Sequence, residues 1–460
     1  LSKKWVRGAV FLDYYVKHPK IIRESIDKLD YEVQNMLQIK PFRAMRFNTE
    51  KAGGIDTLCC PPYDIISEEQ RSAYIAANEH NIIRLELPRG ENLYETAGET
   101  LKAWLAQGVL QQDDKAGIYL YEEEFTVGGE TKRIKGFISL VKLEEFEKQI
   151  VLPHEETLSK AKADRFNLMS TTLCNFSQIY SLYFDENRKV ADSIARLSAG
   201  SPDVEFTAED GIIHRLWCVY DESEIAAVAK LMEEKKAYIA DGHHRYETAL
   251  GFRNHLREQG VITDDSHLGN YVMMMLVNME HEGLVVFPTH RIVKNLASFD
   301  EAAVLRACEQ YFKIEAKTGD MQAPLEEQYN IGKKSFALYT GKKEWHQLTL
   351  KDDKIMTELL PEMSEAYKNL DVSILHTLVL ERIFGIDKEN MANQVNLRYT
   401  RDFDEAIEAV DSGEANCSFI INPTRVSEIA AVAAAKEKMP QKSTYFYPKL
   451  ITGLVMNKLQ

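Results

Sequence analysis

The chain has 460 residues, enough for two or three domains, and its 45% hydrophobic and 28% charged residues are the mix of a folded globular protein. A formal net charge of −15, from 71 acidic against 56 basic residues, would repel a phosphate backbone, so no nucleic-acid partner is expected. No stretch approaches the roughly 18 continuous apolar residues of a membrane span, and the six cysteines lack any C-x-x-C spacing, which argues against a disulfide framework or a zinc ribbon and suits a reducing cytoplasm.

In chain order, residues 9 to 38 carry helical periodicity and read as an N-terminal helical extension. "CCPPYDIISEEQ" is the first sharp break: its prolines hold the backbone extended, and Ser67 followed by Glu68, Glu69 and Gln70 reads as a capped helix start. Ordinary apolar packing is expected for Cys59 and Cys60. Residues 93 to 109 form an amphipathic helix ending at Gly108. Alternating residues on both sides of Gly128-Gly129 predict a hairpin over 117 to 143. Strands are expected at "QIYSLYF", "HRLWCVY", "AYIAD", "YVMMMLVNM" and "GLVVFPTHRIV". Beyond residue 298 follow a helix near 299 to 312, an antiparallel pair in "KSFALYTGKKEWHQLTL", further helices and the strand "SFIINP". Without a regular βαβ rhythm the fold class is α+β, divided as an extension (1–40), a core (41–298) and a C-terminal α+β region packing on it (299–460).

The segment with most chemical content is "YIADGHHRYETAL". A strand runs into Asp241-Gly242 and then a helix, the layout of an anion site: glycine can take the positive φ of the turn, and the first free N–H groups of the helix face outward. Arg245 adds a two-pronged donor for phosphate, and Asp241 could hold Mg²⁺ or a substrate hydroxyl. His243 and His244 are neighbours and diverge, which suits one shared metal poorly. The plain alternative is a capped helix with surface histidines.

A second constellation is "VLPHEETLSKAKADRFNLM", with His154, Glu155, Glu156 and Thr157 after a proline and Asp164-Arg165 on a following helix. A carboxylate here serves as general base if folding brings it near Arg245; otherwise it is a solvated helix start. "PPYD" reads as a rigid turn, and "PTHR" places His290 and Arg291 at a strand end. "MPQKSTYFYPKLITG" sets Lys442, Ser443, Thr444 and Lys449 among aromatics, as a pocket-closing segment or a buried terminal strand. Phosphate-loop, protein-kinase, Rossmann and nucleophile-elbow motifs are absent.

Together "PPYDIIS", "PHEETLSKAKADR", "YIADGHHRYETAL", "PTHR" and "MPQKSTYFYPKLITG" resemble the bacterial family DUF1015, from about residue 40 to the end. Its "DGHHR" is similar to the motif of free serine kinases with a ParB/sulfiredoxin-like nucleotide-binding core. The resemblance implies phosphorylation of free L-serine to O-phospho-L-serine from ATP or ADP with Mg²⁺. Gly242, His243, His244 and Arg245 would meet the donor phosphates, and Asp241 the substrate or the metal. Glu155 would be the base, because an "HEE" segment precedes "DGHHR" in both groups. His154, Arg165, Arg291 or Lys442 would receive the amino acid. A homo-oligomer is left open. Two rivals stand beside the kinase: a ParB-type nucleotide-binding regulatory module, for which no basic helix-turn-helix is found, and a metal-dependent hydrolase using His243, His244 and His290.

Overall fold

The computed structural model describes residues 36–157 and 159–459. The helical extension expected at the N-terminus falls outside them up to residue 35; its last residues, Ile39–Lys40, are a short strand.

The protein is α+β, built on a nine-stranded mixed sheet. Its strands are β1 (Ile39–Lys40), β2 (Ile118–Val127), β3 (Glu130–Lys142), β4 (Val151–Leu152), β5 (Ile179–Tyr183), β6 (Val204–Thr207), β7 (Ile213–Val219), β8 (Ala237–Asp241) and β9 (Tyr271–Asn278). The spatial order is β4-β8-β5-β9-β3-β2-β7-β6, with β1 also on β3. The β2–β3 hairpin turns at Gly128 and Gly129, whose φ of 59° and 81° are the two positive angles a tight two-residue hairpin turn needs. Strands β8 and β5 are antiparallel, whereas β5 and β9 are parallel. Asp241, at the end of β8, therefore lies beside Tyr180, and Tyr183 marks the opposite end of β5.

The methionine-rich β9 is central, and its two faces feed two cores. Met273, Met275 and Val277 pack with Tyr180, Leu182, Phe446 and Leu454. Val272, Met274 and Leu276 pack with Val190, Ile194, Val228, Tyr246 and Ala249 from helices on the other side. Burial on both faces is why the strand reads as one apolar run rather than an alternation. Two of the helices here are α1 (Ser159–Thr172) and α2 (His243–Glu258), which lie against each other.

A second, wholly antiparallel sheet of six strands runs β11 (Phe312–Thr318), β13 (Glu344–Leu350), β12 (Ser335–Tyr339), β15 (Cys417–Ile420), β10 (His290–Val293) and β14 (Leu397–Thr400). It opens at His290, ahead of the expected division at 298. The reason is local: "GLVVFPTHRIV" is not one strand, because Pro288 cannot donate to a ladder and the run divides into Val285–Phe287 and β10. The chain then returns to the first sheet. Tyr445–Tyr447 pairs antiparallel with Val285–Phe287, and Phe446 is buried against Tyr180 with ring centroids 5.8 Å apart. All six cysteines are free thiols, and Cys59 and Cys60 are buried in apolar cores. Among the described residues no helix is long and apolar enough to cross a membrane.

Candidate functional site

Strand β8 ends with a register shift between Ile239 and Asp241, and Gly242 follows at φ 95°, ψ 29°. A Cβ at Gly242 would lie 2.9 Å from Arg245 Nη2, so side-chain-free backbone is needed for both the angle and the space. Helix α2 starts at once, which sets Arg245 one turn beyond Asp241. Arg245 Nη1 donates to the Gln178 carbonyl at 2.5 Å, and Nη2 to Asp241 Oδ2 at 2.8 Å. Lys449, from the returning C-terminal segment, donates to Asp241 Oδ1. Burial alone would raise the Asp241 carboxyl; Lys449 and Arg245 overcome it and hold the group well below the usual carboxylate range. Burial likewise opposes the Lys449 charge, and Asp241 raises that amine above its ordinary value.

His243 is buried, and its Nε2 accepts the His154 backbone N–H at 3.2 Å. The His154 ring stands edge-on to it, with centroids 4.6 Å apart at 88°, and His154 Nε2 lies 3.0 Å from Thr444 Oγ1. Burial lowers His154 to about 4 and His243 well below its ordinary value, so both are neutral at pH 7. With Nε2 accepting, the neutral His243 ring carries its proton on Nδ1, which faces Glu155 Oε2 at 3.8 Å. Glu155 Oε1 accepts the Lys442 N–H at 3.4 Å, and burial raises its carboxyl. His244 is half-buried, and burial lowers it too.

These groups enclose a cavity of about 280 Å³. Its cations are Arg245, Arg401, Lys442 and Lys449; its carboxylates are Asp64, Glu155 and Asp241. Tyr445 forms an aromatic wall, with the Arg401 guanidinium 4.4 Å and Lys449 Nζ 4.6 Å from its ring centroid. Fixed cations around a polar hollow suit an anionic ligand, and Glu155 and Asp64 are available to accept a proton.

Among the residues expected from sequence, Glu155, Asp241, Gly242, His243, His244, Arg245 and Lys442 line this one cavity. His154 sits one layer behind as the partner of His243 and Thr444. Arg165 is also behind the wall: it is buried, donates to Asp164 and to the Glu86 carbonyl, and lies 4.0 Å from the Tyr63 ring centroid. Arg291 is fully buried, donating to His376 at 3.2 Å, to Thr289, and to the Lys442 carbonyl at 3.1 Å. Burial lowers it to about 10. Neither lines this cavity: Arg165 stacks on Tyr63 and shares a small hollow with Arg245, and Arg291 holds the Lys442 turn. Sequence reasoning missed Arg401, Tyr399 and Gln394, for which "NQVNLRYTRD" gives no signal, and it did not pair Lys449 with Asp241.

A Mg²⁺ site of the all-protein kind is not built here. Both Asp241 oxygens are taken by cations, and among the described residues no group of three or more His, Cys, Asp or Glu side chains is placed to hold a metal. Of the cavity carboxylates Asp64 is exposed at the rim, and it could give one oxygen to a Mg²⁺ ion.

Comparison with solved structures finds distant likenesses. A conserved hypothetical protein from Pyrococcus furiosus is 15% identical, with 69% of this chain and 94% of that one covered and a TM-score of 0.33. A free serine kinase in complex with AMP is 14% identical, covering 68% and 89%, with a TM-score of 0.34. SbnI with a C-terminal truncation, from Staphylococcus aureus, is 12% identical, covering 69% and 86%, with a TM-score of 0.32. No match was found among curated proteins. The model of the family described as "Protein of unknown function (DUF1015)" matches residues 39–373, most of the chain, and the chain therefore belongs to the DUF1015 family.

Proposed function

We propose that the protein is a small-molecule kinase, with a core of ParB/sulfiredoxin type, that phosphorylates the hydroxyl of free L-serine from ATP or ADP. The supporting observation is the convergence of the Gly242 turn, Arg245, Lys449 and Lys442 with Glu155 and Asp64 around one cavity. Phosphoryl transfer asks chiefly for positioning and charge neutralisation, plus one proton acceptor. That much is supported by geometry; serine as the acceptor rests on the resemblance of "DGHHR" to free serine kinases.

In this reading the outward N–H groups at the start of α2 and the Arg245 guanidinium bind donor phosphate oxygens. Lys442, exposed on its turn, binds the amino-acid carboxylate. Glu155 takes the proton as the serine oxygen forms its bond to phosphorus and the bond to the nucleotide breaks. A raised carboxyl is the better acceptor, and the neutral His243 ring stands beside it with Nδ1 3.8 Å from Oε2. Mg²⁺, carried on the phosphates, would supply further charge neutralisation.

The test is to incubate the protein with Mg-ATP and Mg-ADP separately, with a panel of free amino acids, and to look for phosphoserine by mass spectrometry. No phosphoserine with either donor would remove the reading. With activity in hand, the rate should rise with pH through a carboxyl value above the ordinary range, because Glu155 must be deprotonated to act. Glu155→Gln should lower kcat far more than it changes KM and abolish that limb. Should Asp64→Asn do so instead, the base is Asp64.

A further inference from the structure

The other large cavity, of about 350 Å³, lies at the far end of strand β5. It is lined by Tyr183, Asn278, Lys135 and His281 from the sheet and its loop, by Glu280 and Glu282, and by Arg188 and Ile194 from the helix Lys189–Leu197 and its start. The candidate kinase site contributes none of these. Tyr183 is fully buried, yet its hydroxyl has no hydrogen-bond partner. A buried hydroxyl without a partner is unfavourable, and a partner supplied from the cavity would relieve that cost.

The charges around that hydroxyl are divided by sign. Arg188 is exposed, and among the described residues its guanidinium has neither a hydrogen bond nor an ion pair. The first N–H groups of its helix are taken by Asp185, which accepts from Val190 at 2.9 Å and Ala191 at 3.0 Å, so Arg188 is the anion donor at this rim. Lys135 is not available, being held by Glu122 at 2.9 Å and Ser198 at 3.1 Å over the Trp217 ring. Glu280 and Glu282, equally exposed, hold no ion pair among the described residues. Their loop is fixed: a Cβ at Gly283 would come within 1.7 Å of the Arg133 carbonyl, and Asn278 Oδ1 accepts the Glu280 N–H at 3.1 Å.

We infer that this cavity is a second, non-catalytic binding site for a zwitterionic α-amino acid. The ligand's carboxylate meets Arg188, its ammonium meets Glu280 and Glu282, and a polar atom satisfies the Tyr183 hydroxyl. The inference is independent of the kinase reading.

Calorimetric titration of the full chain with each of the twenty standard L-amino acids tests it, in wild type and in Arg245→Ala, Arg188→Ala and Tyr183→Phe. At least one amino acid should bind in wild type and equally in Arg245→Ala. Loss of one charge-assisted hydrogen bond in Arg188→Ala should weaken that binding by about tenfold to a hundredfold. Tyr183→Phe should weaken it by less while melting like wild type, since the deleted hydroxyl bonds to nothing in the free protein. No binding by any amino acid, binding unchanged in Arg188→Ala, or binding lost in Arg245→Ala alone would each overturn the proposal.

Discussion

The two ends of strand β5 treat charge in opposite ways. At the Gln178 end Asp241, Arg245 and Lys449 are tied to one another and to backbone, so the groups are set before any ligand arrives. At the Tyr183 end Arg188, Glu280 and Glu282 are exposed and, among the described residues, form no ion pair. Prepaid positioning is what a reaction needs, because catalysis gains little from groups that must reorganise as charge develops. Reversible binding tolerates groups that wait in water.

Breaking the preorganised end should therefore have the larger consequences. Arg245→Ala removes the guanidinium proposed to meet the donor phosphates and its tether to Gln178, and on that reading phosphoserine formation should fall by about a hundredfold to a thousandfold, as when a preorganised donor is deleted elsewhere. Steady-state kinetics checks this, and near wild-type turnover would move the phosphate site away from α2. Arg188→Ala, at the other end, should leave basal turnover intact.

The ion pair itself comes next. Lys449→Met leaves Asp241 with Arg245 alone in a largely buried setting, and removing one partner of such a pair costs about 3 kcal/mol. Asp241→Asn strands two largely buried cations, and adding Lys449→Met should regain part of that loss, since only Arg245 is then without its carboxylate and it keeps the Gln178 carbonyl. Urea unfolding of the two single variants and the double variant gives the coupling. Strict additivity would mean that the pair is decorative.

How much of this was readable beforehand follows from sequence distance. The Asp241-Gly242-Arg245 unit is local, and its turn, its helix start and its one-turn spacing are all legible in five residues. The Gly128-Gly129 hairpin is legible for the same reason. Lys449 reaches Asp241 from 208 positions away, and Arg401 stacks on Tyr445 only after the chain has built a second sheet and come back. No periodicity encodes such contacts. Arg291 shows the reverse error: a conspicuous cation at a strand end is buried as a brace for the Lys442 carbonyl, a role that only packing reveals.

Gly242→Ala probes the local unit. The φ of 95° is strained for any side chain, at about 1–3 kcal/mol, and the new Cβ would press on the Arg245 guanidinium. Reduced melting temperature together with lost turnover is expected. Lost turnover with unchanged melting would mean that the backbone relaxes and only the phosphate contacts suffer.

The smallest effect separates the histidines from the charges they adjoin. His154 is held near 4 by burial, against about 6.5 in the unfolded chain. Between those values the unfolded state binds the proton and the folded state does not, so the contribution of His154 to stability is complete above about 6.5 and is lost as pH falls towards 4. The slope is at most about 1.4 kcal/mol per pH unit for one such group. His154→Gln should make urea-derived stability less steep with pH across this window, while costing some stability at neutral pH through the Thr444 contact. An unchanged slope would mean that His154 takes up its proton as readily in the folded protein as in the unfolded chain. A charge on that ring would press the buried His243 further towards its neutral form, so the arrangement facing Glu155 rests on the His154 backbone N–H and not on this slope.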